Sequence, residues 1–547
     1  MGQPTRTGPD PPRGSLDARR REDALRALED EVFDCVVIGG GMTGAGIAWQ
    51  GALRGLRVAL LEAADFAEGT SSRSTKLIHG GLRYLAQGDV RLVRDTARER
   101  KVVHRLARHL AQPRWLIVPA PNRRTLWKLR LGVGLYERLG GVPPRHRHQC
   151  WNRRDLEREE PALSPAPRFA CVYREYATHD ARLVVSVLRA AVDAGAVVAN
   201  RLRATELLLS GERAAGIFAR CAETDAEIRV RGRVVINAAG PWVDAVRRFE
   251  QPGSRPRLHL SKGVHLGIRR ERLPLRNMAL LDAPDGRRVF AVPSGDVTYV
   301  GTTDTTHPGD AELWPSIAQR DVDYLIETLR NQIPDANVTE HDVLSTWSGL
   351  RPLIAQPGKG PSEISRRDET WVGARSVVHI AGGKLTGFRP MAIRALQLAC
   401  KQLERPLSEI EEEALPGGDF RGSVDALAGR LRHGNALPGP EARRLAGLYG
   451  TEAASIRAFG SERVTPETWL LRGEVAWSVC VEGARTSADV LYRRTGAALL
   501  EPEARRHAVR PVAKQVGALL GWSESRIEED AAATEARLAA DLRFEPA

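Results

Sequence analysis

Three glycines and one acidic residue near the amino terminus have the types and spacing needed to bind a pyrophosphate-bridged nucleotide. Gly39, Gly41 and Gly44 fit the pattern G-x-G-x-x-G. Glycines let the backbone turn tightly and approach a pyrophosphate, and the start of the following helix offers it unpaired N–H groups. Glu62 follows 23 residues after the first glycine, where a carboxylate accepts hydrogen bonds from ribose hydroxyl groups. The alternative interpretation is an ordinary tight turn between a strand and a helix.

A second group of residues combines positive charge with hydroxyl groups, which suits a small dianionic substrate. Arginine binds phosphate oxygens with two parallel hydrogen bonds, and lysine adds a compact charge. In a chain this rich in arginine, any single arginine is more often a solvated surface residue. Neutral His79 has the pKa range of a general base near pH 7, although packing against a cofactor is equally open. The group comprises His79, Arg83, Tyr84, Lys262, Thr302, Thr303, Arg351, Arg366 or Arg367, and Lys384.

Short apolar runs and turns predict the elements that position these residues. Val36–Ile38 and 58–61 are typical of buried parallel strands, and residues 45–53 between them have helical spacing. Strand, glycines, helix, strand and acid therefore follow one another within about 30 residues, as a βαβ nucleotide-binding unit requires. Further apolar runs at 233–237 and 378–380 end in Gly240 and in Gly382-Gly383.

The remaining chain divides by pattern. Alternation predicts a β-meander over 202–230 and an antiparallel sheet over 258–305, and residues 421–547 have helical patterning. Trp127, Leu131 and Leu135 lie among arginines in segment 121–148. Such a basic, tryptophan-bearing helix can rest on a membrane interface, but packing against the core beside a solvated face is equally open.

Composition indicates a globular protein. The 547 residues are 42% hydrophobic and 27% charged, with a net charge of +13. No apolar run approaches the length of a membrane helix, and the polar first 30 residues are unlike a secretory signal. The six cysteines are widely separated, which argues against a metal cluster or disulfide scaffold and favours a reducing cytoplasm. The positive charge would suit binding to anionic lipid, nucleic acid or an anionic substrate. No nucleic-acid-binding motif supports nucleic acid as the partner.

Several motifs carry a resemblance to a known family. The segment SSRSTKLIHGGLRYL at 71–85, GTTD at 301–304, SGLRPL at 348–353, LPGG at 415–418 and LYRRT at 491–495 occur in order. The chain resembles the aerobic FAD-dependent glycerol-3-phosphate dehydrogenases, which are closely related to the glycerol-3-phosphate oxidases, over roughly 31–547. It departs from them at Gly387-Phe388, where the family has Thr-Tyr, and at ISRRD, which has one extra residue and leaves Arg366 and Arg367 as alternatives for one position.

The resemblance implies an α/β fold with a Rossmann-like FAD-binding domain of the two-dinucleotide-fold, D-amino-acid-oxidase-like type. An antiparallel-sheet substrate domain and a helical C-terminal domain would complete it. The implied division is a disordered or partly helical arm at 1–30; an FAD-binding domain of 31–105, 166–246 and 341–405; a substrate-binding cap of 106–165 and 247–340; and a helical domain at 415–547.

The implied reaction is oxidation of sn-glycerol 3-phosphate to dihydroxyacetone phosphate, with hydride passing from C2 to flavin N5. His79, Arg351 and Lys384 would be catalytic. Arg83, Tyr84, Lys262, Thr302, Thr303 and Arg366 would bind the substrate. FAD would contact Gly39, Gly41, Gly44, Glu62, Ser71, Ser72, Ser74, Lys76, Leu77, Gly240, Gly382, Gly383, Lys384 and Leu385. No metal is implied.

Electrons would pass to membrane quinone from a cytoplasmic protein held peripherally on the anionic inner face of the cell membrane. Two alternatives stay open at this point: an oxidase that uses oxygen, and a flavin oxidoreductase for a different small anionic alcohol or amine. A homodimer also stays open, and no nucleic acid partner is expected.

Overall fold

The structure is a computed structural model that describes residues 11–79, 90–163, 167–356, 358, 360, 363–364, 367–435 and 437–546. Its strands are β1 (Val32–Ile38), β2 (Val58–Leu61), β3 (Leu77–Ile78), β4 (Gln112–Ala120), β5 (Gln149–Asn152), β6 (Phe169–Ala177), β7 (Val197–Ala199), β8 (Leu202–Ser210), β9 (Arg213–Cys221), β10 (Glu227–Asn237), β11 (Leu258–Arg269), β12 (Met278–Asp282), β13 (Arg288–Ser294), β14 (Val297–Gly301), β15 (Thr305–Thr306), β16 (Ile317–Ala318), β17 (Val343–Ile354), β18 (Asp368–Val372), β19 (Val378–Gly382) and β20 (Phe544–Glu545).

The α-helices alternate with these strands and then dominate the last quarter of the chain. They are α1 (Arg21–Asp30), α2 (Met42–Ala52), α3 (Val90–Leu106), α4 (Arg123–Leu139), α5 (Arg153–Glu159), α6 (Asp180–Asp193), α7 (Val243–Arg247), α8 (Gln319–Gln332), α9 (Phe388–Gln402), α10 (Val424–Asn435), α11 (Gly439–Tyr449), α12 (Ala453–Ala458), α13 (Arg472–Cys480), α14 (Ala497–Leu500), α15 (Pro502–His507), α16 (Val509–Leu520) and α17 (Glu524–Ala540).

The first sheet carries the predicted nucleotide-binding unit. Its strand order is β18-β19-β10-β1-β2-β7, and β1 pairs in parallel with both β2 and β10. All four residues of β2 are buried, as expected for a parallel strand covered by helices on both faces. Helix α2 packs against α6 and α9 on one face of this sheet. The predicted meander is present as β8, β9 and the first half of β10.

The second sheet is almost wholly antiparallel, and it includes the sheet expected from the sequence for the substrate domain. Its order is β15-β11-β14-β13-β12-β4-β6-β3, with β17 paired along β11 and β5 along β6. β12 and β4 are parallel neighbours, whereas the other adjacent pairs run antiparallel. The antiparallel sheet predicted over 258–305 is therefore confirmed.

Three segments that the sequence division gave to the FAD-binding domain enter the second sheet: β3 within 31–105, β6 in 166–246 and β17 in 341–405. That division began FAD-binding segments at 166 and 341, yet β6 pairs with β4 and β17 pairs with β11. Both are long strands whose hydrogen-bonding partners lie in the substrate domain, so backbone pairing decides their place. The chain returns to the first domain only after each of these strands ends.

The C-terminal helices and the amino-terminal arm pack together. The large core of the C-terminal domain includes Tyr449, Trp477 and Leu491, all buried. In the described part of the arm, residues 18–30 are helical, and they pack against the rest of the chain. Leu28 is fully buried, and the Leu16 N–H donates to the Val481 carbonyl oxygen at 2.9 Å. The arm therefore joins the FAD-binding domain to the helical domain.

Candidate active site

The glycine turn after β1 has the conformation and contacts that a pyrophosphate cradle requires. Gly39 has φ +112°, a value that side chains rarely permit. Gly44 packs directly on the Gly39 carbonyl oxygen, so a side chain there would collide with backbone. The Gly40 N–H donates to Glu62 Oε2 at 2.6 Å, and the Met42 N–H at the start of α2 donates to Ser71 Oγ at 2.9 Å. Turn, helix start, carboxylate and serine are thus brought together.

The ends of β10 and β19 approach the same region. Gly240, Gly382 and Gly383 all have positive φ and line one cavity with the glycine turn. After β19 the chain makes a 3₁₀ turn at Leu385–Gly387 and enters α9. The first turn of a helix favours negative charge because its N–H groups are unpaired. This arrangement gives the cavity a second anion-favouring helix start.

The cavity fits FAD in size and in lining. Its volume is about 1830 Å³, larger than the roughly 300–1,000 Å³ of ordinary small-molecule sites, so it has room for a dinucleotide and a second ligand. Gly39, Gly41 and Thr43 line one part, with Glu62 beside them. Side chains at the turn glycines would meet backbone or neighbouring atoms, which is consistent with a site that a ligand approaches closely. The lining residues that could hold FAD are Gly39, Gly41, Met42, Thr43, Glu62, Ser71, Ser74, Leu77, Gly240 and Gly382–Leu385.

Glu62 has an unusual electrostatic position. Its pKa is raised to about 7, mainly by burial and to a lesser extent by Glu68 and Asp65, while the N–H groups of Ala64 and Gly40 act in the opposite direction. The ionised carboxylate is therefore less favoured near neutral pH than that of an ordinary glutamate. Ribose hydroxyl groups donate better to its ionised form.

The cationic end of the cavity is organised around Arg351 on β17. Its Nη2 donates to Thr302 Oγ1 at 2.9 Å, and its Nη1 donates to Asp304 Oδ1 at 3.2 Å. Nη1 also donates to Ser261 Oγ at 3.2 Å. Acceptors from β11 and from the segment between β14 and β15 fix the guanidinium in one orientation at the cavity wall. The predicted residues Thr302, Thr303 and Arg351 are brought together here.

His79 and Lys384 reach the same end from other elements. The His79 ring lies 6.1 Å from the ring of Phe290, whose strand position is opposite Gly301, directly before Thr302. Thr386 Oγ1 donates to the His79 carbonyl oxygen at 3.4 Å, which places the turn after Lys384 beside His79. His79, Lys384 and Arg351 all line the cavity. The three residues predicted as catalytic therefore line one cavity, and their roles stay a prediction.

His265 is a cavity residue that the sequence prediction missed. It is 1% exposed, stacks on Trp347 with ring centroids 4.9 Å apart, and its Nε2 lies 3.0 Å from Thr75 Oγ1. Burial, then the charges of Arg351 and Lys76, lower its pKa well below the usual value, so the ring is neutral. The sequence feature that could have identified His265 is its position three residues after Lys262 on an apolar strand. The same pattern is also typical of a histidine in the core.

Two predicted lysines lie outside the cavity lining. The Lys76 ammonium is 2.8 Å from Asp180 Oδ1 and donates to the Ser72 carbonyl oxygen, beneath the serine-rich loop. The Lys262 ammonium is 3.0 Å from Asp321 Oδ2 and donates to the Ser316 carbonyl oxygen. In each case a nearby carboxylate holds the charge, because a buried ammonium needs a partner. Both lysines therefore pair with carboxylates behind the cavity lining. Of the residues predicted to contact FAD, Ser72 and Gly44 also lie outside the lining.

Three predicted substrate residues, Arg83, Tyr84 and Arg366, lie outside the described residues. Arg367, the alternative to Arg366, is exposed, and its carbonyl oxygen accepts from the Gly383 N–H at 3.4 Å.

Comparison with known proteins defines the class of this fold and site. The profile of the family described as FAD dependent oxidoreductase matches residues 34–399. A second profile, the C-terminal domain of alpha-glycerophosphate oxidase, matches residues 409–527. The chain is an FAD-dependent oxidoreductase of the D-amino-acid-oxidase type, so the predicted cofactor and fold class are confirmed.

Individual relatives narrow the class. Over 534 residues the chain is 37% identical to the aerobic glycerol-3-phosphate dehydrogenase of Staphylococcus haemolyticus, covering 94% of this chain and 96% of that protein. The glycerol-3-phosphate dehydrogenase of Bacillus halodurans, solved with FAD, matches with a TM-score of 0.80 and 30% identity over 96% of this chain and 99% of that one. The chain belongs to the aerobic glycerol-3-phosphate dehydrogenase family. Glycine oxidase of Geobacillus kaustophilus, at 20% identity, covers 72% of this chain and 100% of that one, and its TM-score of 0.52 shows the fold alone.

Proposed function

We propose that this enzyme oxidises sn-glycerol 3-phosphate at C2 to dihydroxyacetone phosphate and passes the electrons to membrane quinone. One observation carries the substrate assignment: the two cations Arg351 and Lys384 line the same cavity as the dinucleotide turn. A small dianion needs such a concentration of positive charge, whereas an uncharged alcohol or an amine does not. The names of the relatives support the same substrate.

Arg351 and Lys384 bind the phosphate or stabilise negative charge that develops on the C2 oxygen. The guanidinium of Arg351 is already oriented by Thr302 and Asp304, so little ordering is needed when the substrate arrives. Thr302 adds a hydroxyl group beside it at the cavity wall.

FAD, when bound, supplies the two-electron acceptor for the hydride that leaves C2. The protein must remove the hydroxyl proton, and we assign this step to His79. His265 is the competing proton acceptor, because it is neutral and lines the same cavity. Its stacking on Trp347 and its contact with Thr75 favour a role in shaping the wall.

The substrate assignment is tested by adding sn-glycerol 3-phosphate to the purified FAD-loaded enzyme without oxygen and following the long-wavelength flavin absorbance. We expect rapid bleaching with this compound and none with glycerol or glycine. Glycerol lacks the phosphate and glycine tests amine oxidation, so bleaching by either one would overturn the proposal.

The proton acceptor is tested by comparing His79→Gln with His265→Gln in single-turnover flavin reduction across pH. We expect His79→Gln to slow reduction by roughly 10²–10⁴-fold and to remove the acidic limb of the pH profile. His265→Gln should keep that limb. The reverse pattern would transfer the role to His265.

The assignment of quinone rests on α4. Trp127, Leu131 and Leu135 follow one another at four-residue spacing and are 62%, 54% and 46% exposed. Leu131 and Leu135 also line the cavity, so an apolar surface stripe is continuous with the active site. Exposed basic residues flank the stripe: Arg123, Arg124, Lys128, Arg130 and Arg138. A helix of this kind binds an anionic membrane surface and presents the cavity to lipid-soluble molecules.

This attachment is peripheral in our proposal. Among the helices of the described residues, none combines the length and apolar character needed to cross a bilayer. A cytoplasmic enzyme on the inner face of the cell membrane is consistent with the six free cysteines.

The acceptor is tested by measuring the two half-reactions of Leu135→Glu separately. We expect unchanged flavin reduction by substrate, slower reoxidation by a quinone analogue, and weaker binding to vesicles that contain anionic lipid. A matched control is Leu209→Glu, on an equally exposed leucine of the meander that lies outside the cavity. Wild-type reoxidation that is faster with oxygen than with quinone would instead establish an oxidase.

A further inference from the structure

The segment Glu62–Arg73, which follows β2, is attached to the glycine turn at three points. Glu62 accepts the Gly40 N–H, the Ala67 N–H donates to the Gly40 carbonyl oxygen at 3.1 Å, and Ser71 Oγ accepts the Met42 N–H. Glu62 and Ser71 line the FAD cavity. The position of this cofactor segment therefore determines where its carboxylate and hydroxyl groups meet the cofactor.

The opposite side of the cofactor segment is held by the C-terminal domain. Asp65 is fully buried and accepts two hydrogen bonds from Arg494, at 2.7 and 2.8 Å. Arg493 Nε donates to the same carboxylate at 2.5 Å, and its Nη1 lies 3.5 Å from Glu68 Oε1. Both arginines belong to the π-helical turn Asp489–Arg494 and are at most 2% exposed.

These are strong contacts by their chemistry. Arginine and carboxylate in a two-pronged arrangement form the strongest class of protein hydrogen bond, and burial excludes competing water. Burial alone would raise the pKa of Asp65, but Arg494 and Arg493 hold it below the usual value. The carboxylate stays ionised and fixes the cofactor segment between two rigid neighbours.

Docking of the two domains does not depend on this cluster alone. Helix α6 of the FAD-binding domain makes two further ion pairs with the C-terminal domain, the buried pair Arg182–Glu482 and the part-buried pair Arg189–Glu452. Both Arg189–Glu452 hydrogen bonds are 2.7 Å long, and neither residue lines the cavity. The chain thus offers a comparable interdomain pair outside the cavity lining.

We propose that the C-terminal helical domain is a working part of the FAD site. Arg494 and Arg493 act as positioning residues: through Asp65 they hold the cofactor segment, so that Glu62 and Ser71 are set for the ribose and pyrophosphate before FAD binds. The domain contributes to cofactor affinity without contacting the cofactor. This inference requires only that the chain binds FAD, and it is independent of which substrate is oxidised.

The test is an FAD titration of apoprotein, followed by flavin fluorescence, for Arg494→Gln and for the control Glu452→Gln. Each variant removes one partner of an interdomain ion pair, so both should lower the melting temperature of the apoprotein. We expect Arg494→Gln to raise the FAD Kd by at least about tenfold, equivalent to ~1.4 kcal/mol. Glu452→Gln should leave the Kd within about twofold, which is below ~0.4 kcal/mol.

A conservative variant keeps the test decisive if Arg494→Gln fails to fold. Arg494→Lys retains the buried charge but loses the two-pronged bond, and we expect a smaller increase in Kd and a faster release of FAD. Equal FAD affinity in Arg494→Lys and wild type would overturn the proposal. So would equal losses of affinity in Arg494→Gln and Glu452→Gln, because the effect would then be general destabilisation.

Discussion

Replacing Gly39 by alanine should remove FAD binding for a reason that can be worked out from the turn itself. Gly39 has φ +112°, and a Cβ there would lie 2.6 Å from the Ala238 carbonyl oxygen and 3.0 Å from Ala239 Cα. Holding a non-glycine residue in this backbone region costs on the order of 1–3 kcal/mol. The oxygen contact is too short for a carbon atom, and relieving such overpacking typically costs about 1–3 kcal/mol more.

The two costs differ in what they do to FAD. Strain alone destabilises the protein, whereas the collision must push the turn away from β10 by several tenths of an ångström and so displace the pyrophosphate cradle. A control separates these effects: Gly211, in the β8–β9 turn, has φ +61° and nothing within 4 Å of an added Cβ. Gly211→Ala should therefore lower stability without changing cofactor affinity.

The assay is FAD titration of both apoprotein variants, together with urea unfolding to measure the free energy of unfolding. We expect Gly39→Ala to raise the Kd by at least about 100-fold, which is ~2.7 kcal/mol. Gly211→Ala should bind FAD as wild type does. Retention of wild-type affinity by Gly39→Ala would refute the argument, and so would an equal loss in both variants.

Two further predictions concern pH. The pKa values of His109 and His179 are each lowered to about 3, mainly by burial. A nearby positive charge, that of Arg182 for His109 and that of Lys76 for His179, lowers each pKa further in the same direction. Between about pH 6.5 and pH 3 these histidines take up protons in the unfolded chain but not in the folded chain. As the pH is lowered through this range, the free energy of unfolding should fall by up to ~1.4 kcal/mol per histidine per pH unit. Above pH 6.5 the histidines should have no such effect. Denaturant unfolding at pH 7, 6 and 5 checks this, and His109→Gln should show a shallower slope; an unchanged slope would contradict it. Because the pKa of Glu62 is about 7, FAD affinity of the apoprotein should rise with pH through neutrality, and Glu62→Gln should flatten that dependence in the same titration.

Local patterns carried much of the fold and of the cofactor site. The β1–α2–β2 unit and Glu62 could be predicted because apolar spacing, glycines and the acid all lie within one short stretch of chain. Gly240 and Gly382 followed from the same logic, since a buried parallel strand that ends in glycine brings backbone to the edge of a sheet. Arg351 lay in a recognisable motif, and the structure places it on the cavity wall.

Residues whose role depends on distant partners could not be predicted in this way. Lys76 and Lys262 stood in promising motifs, but Asp180 and Asp321 hold their charges away from the cavity. The spacing of residues around a lysine does not predict its carboxylate partner, since that partner lies on another element of the fold. His265 lines the cavity but was not predicted, because a lone histidine on an apolar strand is hard to distinguish from a core histidine. The role inferred for Arg494 was hidden because its partner precedes it by 429 residues.

That separation along the chain has a consequence for biosynthesis. Asp65 leaves the ribosome early, whereas Arg494 is added 429 residues later. At about 5–20 residues per second, translation takes roughly 20–90 s to cover that interval. Until Arg493 and Arg494 are added, the carboxylate lacks the two guanidinium groups that pair with it in the fold. In our proposal, capture of FAD in its final geometry therefore follows the synthesis of Arg494.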